Sequence, residues 1–298
     1  MLHPLWLHLD ATSARLRRVP RLSVACDFDG TLTDIVPHPD LAILSPRTRH
    51  AIEAVAQLPG AEVAIFSGRM LDDLRVRVPV TGLFLSGIAG LETLDRSGKR
   101  SLHVRDDELI PASMRETMRG WCERFEGAWV EDKGPAFALH YRGVPERFQP
   151  AFCSGVRRRF AGMQDKIRLL HGKKVFDVLP AVNRDKVSAL WDWIDDYGQT
   201  TLFYFGDDAN DEPVYQPVRE KGGITVAVGR WSSHAEYGLV APGHVTWFLE
   251  WLAREWREVG GTEIGRAEDA RVEAMSNDGD TAQPEPERVP EPSRSSEG

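Results

Sequence analysis

An apolar run, Leu22-Ser23-Val24-Ala25-Cys26, ends directly in Asp27-Phe28-Asp29-Gly30-Thr31-Leu32-Thr33. A short apolar stretch closed by a glycine turn reads as a buried strand. In open α/β sheets chemistry gathers at the carboxyl ends of strands. Two carboxylates two residues apart at such a junction therefore constrain fold and site together. A second apolar run, Thr201-Leu202-Phe203-Tyr204-Phe205, ends in Gly206-Asp207-Asp208-Ala209-Asn210-Asp211. If the two strand ends are neighbours, five carboxylates converge on one place. Such a cluster repels itself or holds protons unless a cation neutralises it. An all-oxygen ligand set suits a hard cation, most simply Mg2+. Taken alone, Asp27 and Asp29 would equally fit a solvated turn or a pair of helix caps.

The segments around these runs alternate strand and helix. Leu22–Cys26, Glu62–Phe66 and Leu83–Ser86 read as strands. Pro46–Leu58 and Met70–Val78 read as helices, the first with Ser45 as its cap and Pro46 at its first position. This alternation predicts parallel pairing in a doubly wound sheet. From about Ser101 to Pro180 the pattern changes. Two helices, one bearing Trp121 and Cys122 and one over Arg147–Phe160, accompany short alternating runs at 129–133, 136–142, 167–171 and 174–178. That predicts an antiparallel α+β module with one wet face. Gly172-Lys173-Lys174 lacks the full phosphate-loop pattern and reads as a turn. The parallel pattern resumes with a helix at 185–197, strands at 201–205 and 224–228, and a closing helix at 244–258.

At 298 residues the chain suits one large or two modest domains. The net charge of −8 argues against a nucleic-acid partner, which favours a basic footprint. Half of that excess lies between Ser276 and Gly298, where six acidic residues face two arginines amid Pro and Ser. Residues 262–298 are accordingly expected to form a disordered acidic tail. Cys26, Cys122 and Cys153 show no metal or redox spacing and cannot all pair, which suggests a reducing compartment. No run approaches the roughly 20 apolar residues of a membrane span. A cytoplasmic protein without a membrane or nucleic-acid partner is the expectation.

The acidic runs resemble the haloacid dehalogenase-like phosphatases, whose first motif reads Asp-x-Asp-Gly-Thr. The resemblance continues in order: Ile65-Phe66-Ser67-Gly68-Arg69 looks like the second motif, Lys186 like the third-motif lysine, and Gly206-Asp207-Asp208 with Asp211 like the fourth. It implies an α/β fold, a Rossmann-like parallel-sheet core of residues 21–100 and 181–260 with an inserted α+β cap of the C2 type at 101–180. Residues 1–20 would be an N-terminal extension. The resemblance further implies Asp27 as nucleophile and Asp29 as acid and base. Ser67 and Lys186 would hold the phosphate. Asp27, Asp207 and the Asp29 backbone carbonyl would bind Mg2+, with Asp208 and Asp211 on its waters. The residues themselves also admit plainer roles. Lys186 could be a solvated helix lysine, Ser67 a turn residue, Asp211 a helix cap, and Arg69 a surface ion pair as readily as a phosphate contact.

Within that superfamily the chain looks most like the trehalose-6-phosphate phosphatases, over about Arg21–Trp251. Glu131-Asp132-Lys133-Gly134, Ala138-Leu139-His140-Tyr141-Arg142, Gly172-Lys173-Lys174-Val175 with Leu179-Pro180, and Asp185-Lys186 carry the likeness. It implicates Gly68, Arg69, Glu92, Glu131, Lys133, His140, Arg142 and Asp177 in substrate binding, and raises a trehalose-6-phosphate synthase as a partner. A charged wet sheet face would explain the cap residues equally well. Two departures bear on the substrate. The family's Gly-x-His-Gly-x-Glu region has no His across Ile88-Ala89-Gly90-Leu91-Glu92, and its cap Glu is here Asp177. Another sugar phosphate, of the sucrose phosphate or glycosyl phosphoglycerate type, is the alternative substrate. A non-catalytic sugar-phosphate sensor is the alternative class, although Asp27, Asp29 and Lys186 are all intact.

Overall fold

Period-2 alternation along the strands sets the layers. The computed structural model describes residues 2–194, 200–229 and 234–259. In chain order these form β1 (His3–Pro4), α1 (Leu9–Leu16), β2 (Arg21–Asp27), α2 (Pro46–Ala56), β3 (Ala61–Phe66), α3 (Leu71–Arg77), β4 (Phe84–Gly87), β5 (Glu92–Leu94), β6 (Arg100–Leu102), α4 (Ala112–Cys122), β7 (Trp129–Lys133), β8 (Ala136–His140), α5 (Gln149–Phe160), β9 (Ile167–Gly172), β10 (Val175–Pro180), α6 (Lys186–Ile194), β11 (Thr200–Gly206), α7 (Glu212–Glu220), β12 (Ile224–Val228), β13 (Tyr237–Leu239) and α8 (Pro242–Val259). The expected tail, 262–298, lies outside the described residues.

One sheet has the order β1-β13-β12-β11-β2-β3-β4-β5-β6. It is parallel from β1 to β4 and antiparallel through β5 and β6. From central β2 the chain steps outward to β3 and β4, and later returns on the other flank with β11. That reversal is a switch point, where the carboxyl ends of neighbouring strands open a crevice. In β2, Leu22, Val24 and Cys26 face the α2, α3 and α8 side, and Ala25 faces the α6 and α7 side. In β11, Phe203 and Phe205 take the first face, while Leu202 and Tyr204 take the second. The result is a three-layer α/β/α core. The α2 helix starts as expected, with Ser45 Oγ accepting the Thr48 N–H at 3.0 Å and Pro46 next in line.

The second sheet is antiparallel, in the order β7-β8-β10-β9. Phe137, Leu139, Phe176 and Val178 point to α4 and α5, where they meet Trp121, Phe152 and Val156. Alternate residues, among them Glu131, Lys133, His140 and Asp177, point to the opposite face and line a cavity above the switch point. This is the α+β cap over a Rossmann-like core.

Several elements escape the sequence reading. His3–Pro4 adds an edge strand on β13 and places Leu5 in the core. The strands β5 and β6 extend the first sheet as far as Leu102. These strands have two or three residues each, too few to show a period.

Candidate active site

The register of the central strands assembles the site. Asp27 pairs with Phe66, so Ser67 stands one residue beyond the end of β3. Phe205 pairs with Cys26, which brings Gly206-Asp207 alongside Asp27. Gly30 turns the chain at a positive φ of 87°, and a Cβ there would run into the Asp207 carboxylate. Glycine is thus required both for the turn and for the close approach.

Lys186, the first residue of α6, donates from Nζ to Asp27 Oδ1 at 2.6 Å and to Asp211 Oδ1 at 2.8 Å. All three side chains are buried. Burial is the main force lifting the Asp27 pKa well above the ordinary carboxylate range; Lys186 opposes it, and Asp211 and Asp207 reinforce it. Burial pulls Lys186 down, but Asp211 and Asp27 outweigh it and keep the ammonium charged. Asp29 is oriented from the other side, by Arg69. The Arg69 guanidinium grips both Asp29 oxygens at 2.7 Å and also meets Asp73 Oδ2 at 2.7 Å and the Pro39 carbonyl at 2.8 Å. Arg69 is only 8% exposed, so it is no surface pair; four of its five N–H groups have protein acceptors, and it also lines the cavity. It acts as the holder of Asp29. Ser67 Oγ lines the cavity and accepts the Arg69 N–H at 3.1 Å.

The backbone beneath Ser67 is strained. Ile88 and Ala89 have φ of 47° and 52°, a region that residues other than glycine rarely enter, β-branched ones least of all. Their N–H groups donate to the Arg69 and Ser67 carbonyls at 2.8 and 3.0 Å, tying this turn to the second motif. Of the two, Ala89 lines the cavity.

Asp27, Asp207 and Asp211 can each offer an oxygen within 4.8 Å of the others. An all-oxygen donor set with this much negative charge fits a hard divalent cation. Asp211 is also tied into the protein. Its Oδ1 accepts from Lys186 and Tyr204, and its Oδ2 accepts the Asp207 and Asp208 N–H groups at 3.1 Å each. These bonds also make Asp211 the anchor of the loop that carries Asp207. Asp208 Oδ1 caps the Ala209 N–H at 2.7 Å and its Oδ2 accepts the Lys173 N–H at 3.2 Å, so this carboxylate leans toward the cap hairpin.

Charge complementarity joins cap to core. The turn expected at Gly172-Lys173-Lys174 forms between β9 and β10, but Lys173 Nζ reaches across to the Asp207 carboxylate and to its backbone carbonyl. Lys133 Nζ donates to the Gly68 carbonyl at 2.7 Å and to Asp177 Oδ1 at 2.8 Å. Glu131 Oε2 meets His140 Nε2 at 2.7 Å. Burial works to raise the Glu131 pKa, but the His140 bond and the charges of Lys133, His140 and Arg69 hold it below the usual value. Arg142 donates to the Lys173 carbonyl at 2.8 Å and also lines the cavity. His38, Trp129 and His140 stack in sequence, at centroid spacings of 5.4 and 4.1 Å, linking the loop after the first motif to the cap. The enclosed volume is about 570 Å³. Glu92 does not line it. Its carboxylate instead caps α3 through the Leu71 N–H at 2.9 Å and pairs with Arg100 at 2.9 Å. It is buried beneath the second-motif turn.

Burial is the chief cause that pushes the Asp207 carboxyl from 3.8 to about 6, against Lys173 and with help from Asp211 and Asp208. Between those values the folded chain keeps a proton that the unfolded chain has released, so stability falls as pH rises. The whole displacement, about two pH units, amounts to roughly 3 kcal/mol, of which roughly 1 kcal/mol is lost between pH 5 and pH 7. Urea unfolding of metal-free protein should therefore show lower stability at pH 7 than at pH 5, and Asp207→Asn should flatten that slope. Identical slopes in both proteins would refute this.

The sequence matches the profile of the trehalose-phosphatase family over residues 25–240. It is 30% identical to probable trehalose-phosphate phosphatase D of Arabidopsis thaliana, over 86% of this chain and 73% of that protein. It is 36% identical to an uncharacterised glycosyl hydrolase of Mycobacterium tuberculosis, where 82% of this chain spans only 19% of the relative. Among solved structures, the C-terminal domain of Candida albicans trehalose-6-phosphate phosphatase superposes with a TM-score of 0.77 over 85% of this chain and 98% of that one. Identity there is 20%, so this likeness bears on the fold.

Proposed function

Because the chain belongs to the trehalose-phosphatase family, we propose that it hydrolyses trehalose 6-phosphate to trehalose and inorganic phosphate. The observation that carries the reading is the convergence of Asp27, Asp29, Ser67, Lys186 and Asp207 on the floor of one cavity whose roof bears polar cap side chains.

In the proposed mechanism an Asp27 oxygen attacks phosphorus and the bond to the sugar oxygen breaks. Asp29, oriented by Arg69, gives the departing alkoxide its proton. The resulting aspartyl phosphate is then hydrolysed by a water that loses its proton to Asp29, which restores the Asp27 carboxylate and the Asp29 carboxylic acid. Ser67 and Lys186 hold the non-bridging oxygens, and Lys186 supplies fixed positive charge where charge is largest. Asp27, Asp207 and the Asp29 backbone carbonyl would hold Mg2+, which when bound offsets phosphoryl charge. Buried sugar hydroxyls need polar partners, because an unpaired one is expensive. Glu131, Lys133, His140, Arg142 and Asp177 supply them from the cap. We assign the reaction to the cytoplasm, and a trehalose-6-phosphate synthase as the partner that supplies the substrate.

The test is phosphate release with Mg2+ from trehalose 6-phosphate, glucose 6-phosphate, sucrose 6-phosphate and an aryl phosphate. We expect kcat/KM for trehalose 6-phosphate to exceed the others by about 100-fold or more, since each well-placed sugar contact can contribute several kcal/mol to discrimination. One feature favours a second reading, another phosphorylated disaccharide or glycoside. Ala89 lines the cavity in the region where the family carries a histidine. A higher kcat/KM for sucrose 6-phosphate would select that reading and keep the chemistry.

A further inference from the structure

We propose that Tyr204, which does not line the cavity, is a positioning residue that sets Lys186 through the Asp211 carboxylate. The inference rests on the phosphatase reading above. Tyr204 lies on β11 with its side chain on the face toward α6 and α7. Its neighbours on that face are mostly apolar: Phe66 and Tyr215 have ring centroids 6.2 and 5.9 Å away. A leucine or phenylalanine would fill such a place without an added polar group. A buried hydroxyl is retained at low cost only when it is bonded.

The Tyr204 hydroxyl has one partner of consequence, Asp211 Oδ1 at 2.8 Å. Lys186 Nζ donates to the same oxygen at 2.8 Å. The other Asp211 oxygen takes the Asp207 and Asp208 N–H groups. Four donors fix the carboxylate, and among the described residues Tyr204 supplies the one side-chain donor besides the lysine. The lysine therefore meets an acceptor whose position and charge are already partly taken up. This limits how strongly Asp211 holds the ammonium and leaves Lys186 directed at Asp27, 2.6 Å away, and at a phosphate bound there. Without the hydroxyl, Asp211 Oδ1 keeps Lys186 as its only side-chain donor among the described residues and draws it away from the reacting group. The effect belongs to a polar network, in which a double-mutant cycle apportions the contributions.

Tyr204→Phe removes one oxygen and preserves the ring. In the full chain with Mg2+ we expect kcat to fall about tenfold with KM within twofold, an unchanged melting temperature within a few degrees, and a roughly tenfold weaker affinity for orthovanadate, a probe of the transferring phosphoryl group. In a Lys186→Gln background, or Lys186→Arg if the first does not fold, Tyr204→Phe should change orthovanadate affinity by less than twofold. A loss of equal size in both backgrounds, or none in either, would overturn the proposal. So would a loss of activity that merely tracks the fraction unfolded. Failure to cleave trehalose 6-phosphate with the orthovanadate coupling intact would remove the substrate reading and support the positioning role. Good turnover with no coupling would do the reverse.

Discussion

Asp27→Asn should abolish turnover, by on the order of 10^4-fold or more in kcat, without lowering the melting temperature. The first half follows from removing the attacking oxygen, since loss of a nucleophile costs about as much as loss of the whole catalytic unit. The second half follows from the electrostatics of the buried cluster. Burial, chiefly, and the nearby Asp211 and Asp207 lift the Asp27 pKa well above its ordinary value despite Lys186. An acid whose folded pKa is raised is less favourably placed as a carboxylate in the folded chain than in the unfolded one. The stability tied to its proton is lost as pH rises past the unfolded value. Near neutrality the neutral amide avoids that loss, and its carbonyl oxygen can still accept from Lys186, 2.6 Å away in the parent. Phosphate release and thermal melting on one preparation check both halves. Activity above about 1% of the parent would remove Asp27 as nucleophile, and a melting point lowered by several degrees would contradict the charge argument.

The same site marks how far a sequence can be read. Asp27, Asp29 and Asp207 were legible because each follows an apolar run long enough to declare a buried strand, and a parallel sheet brings such strand ends together. Lys186 was legible only through the order of the motifs, since a lysine at a helix start is otherwise solvated by default. Arg69 could be seen but not interpreted: its two carboxylate partners lie 40 and 4 residues away, and only the fold brings them within its grip. Lys173 sits in a hairpin turn, and nothing local indicates that the turn touches Asp207. Tyr204 looked like one more apolar strand residue. Its hydroxyl matters because alternation in β11 sends it toward α6, the helix that begins with Lys186. Glu92 likewise has partners that only the fold reveals. Nothing local indicates that the three-residue strand it begins turns the carboxylate to the start of α3.

The second large effect is expected at Lys133, where specificity and chemistry separate. Lys133 belongs to the cap sheet, yet its ammonium bonds the Gly68 carbonyl in the second motif as well as Asp177 in β10. Burial alone would lower its pKa, but Asp177 and Glu131 raise it above the usual lysine value, so the group is a buried cation. Lys133→Met would leave the buried Asp177 carboxylate and the Gly68 carbonyl without their partner. Breaking a buried ion pair from one side costs roughly 3–5 kcal/mol. Only part of that cost reaches catalysis, because the contact joins cap to core and is needed most when a sugar is enclosed. We expect kcat/KM for trehalose 6-phosphate to fall at least about 100-fold, which is close to 3 kcal/mol. Hydrolysis of a small aryl phosphate, which asks nothing of the sugar-facing roof, should change less than about threefold. Asp177→Asn should move the two substrates in the same unequal way, by less, since a lysine can still donate to an amide oxygen. If Lys133→Met slows both substrates equally, Lys133 serves the phosphoryl site through Gly68 and not the sugar. If it slows neither, the cap contacts are a solvated sheet face and the selectivity must arise elsewhere in the cavity.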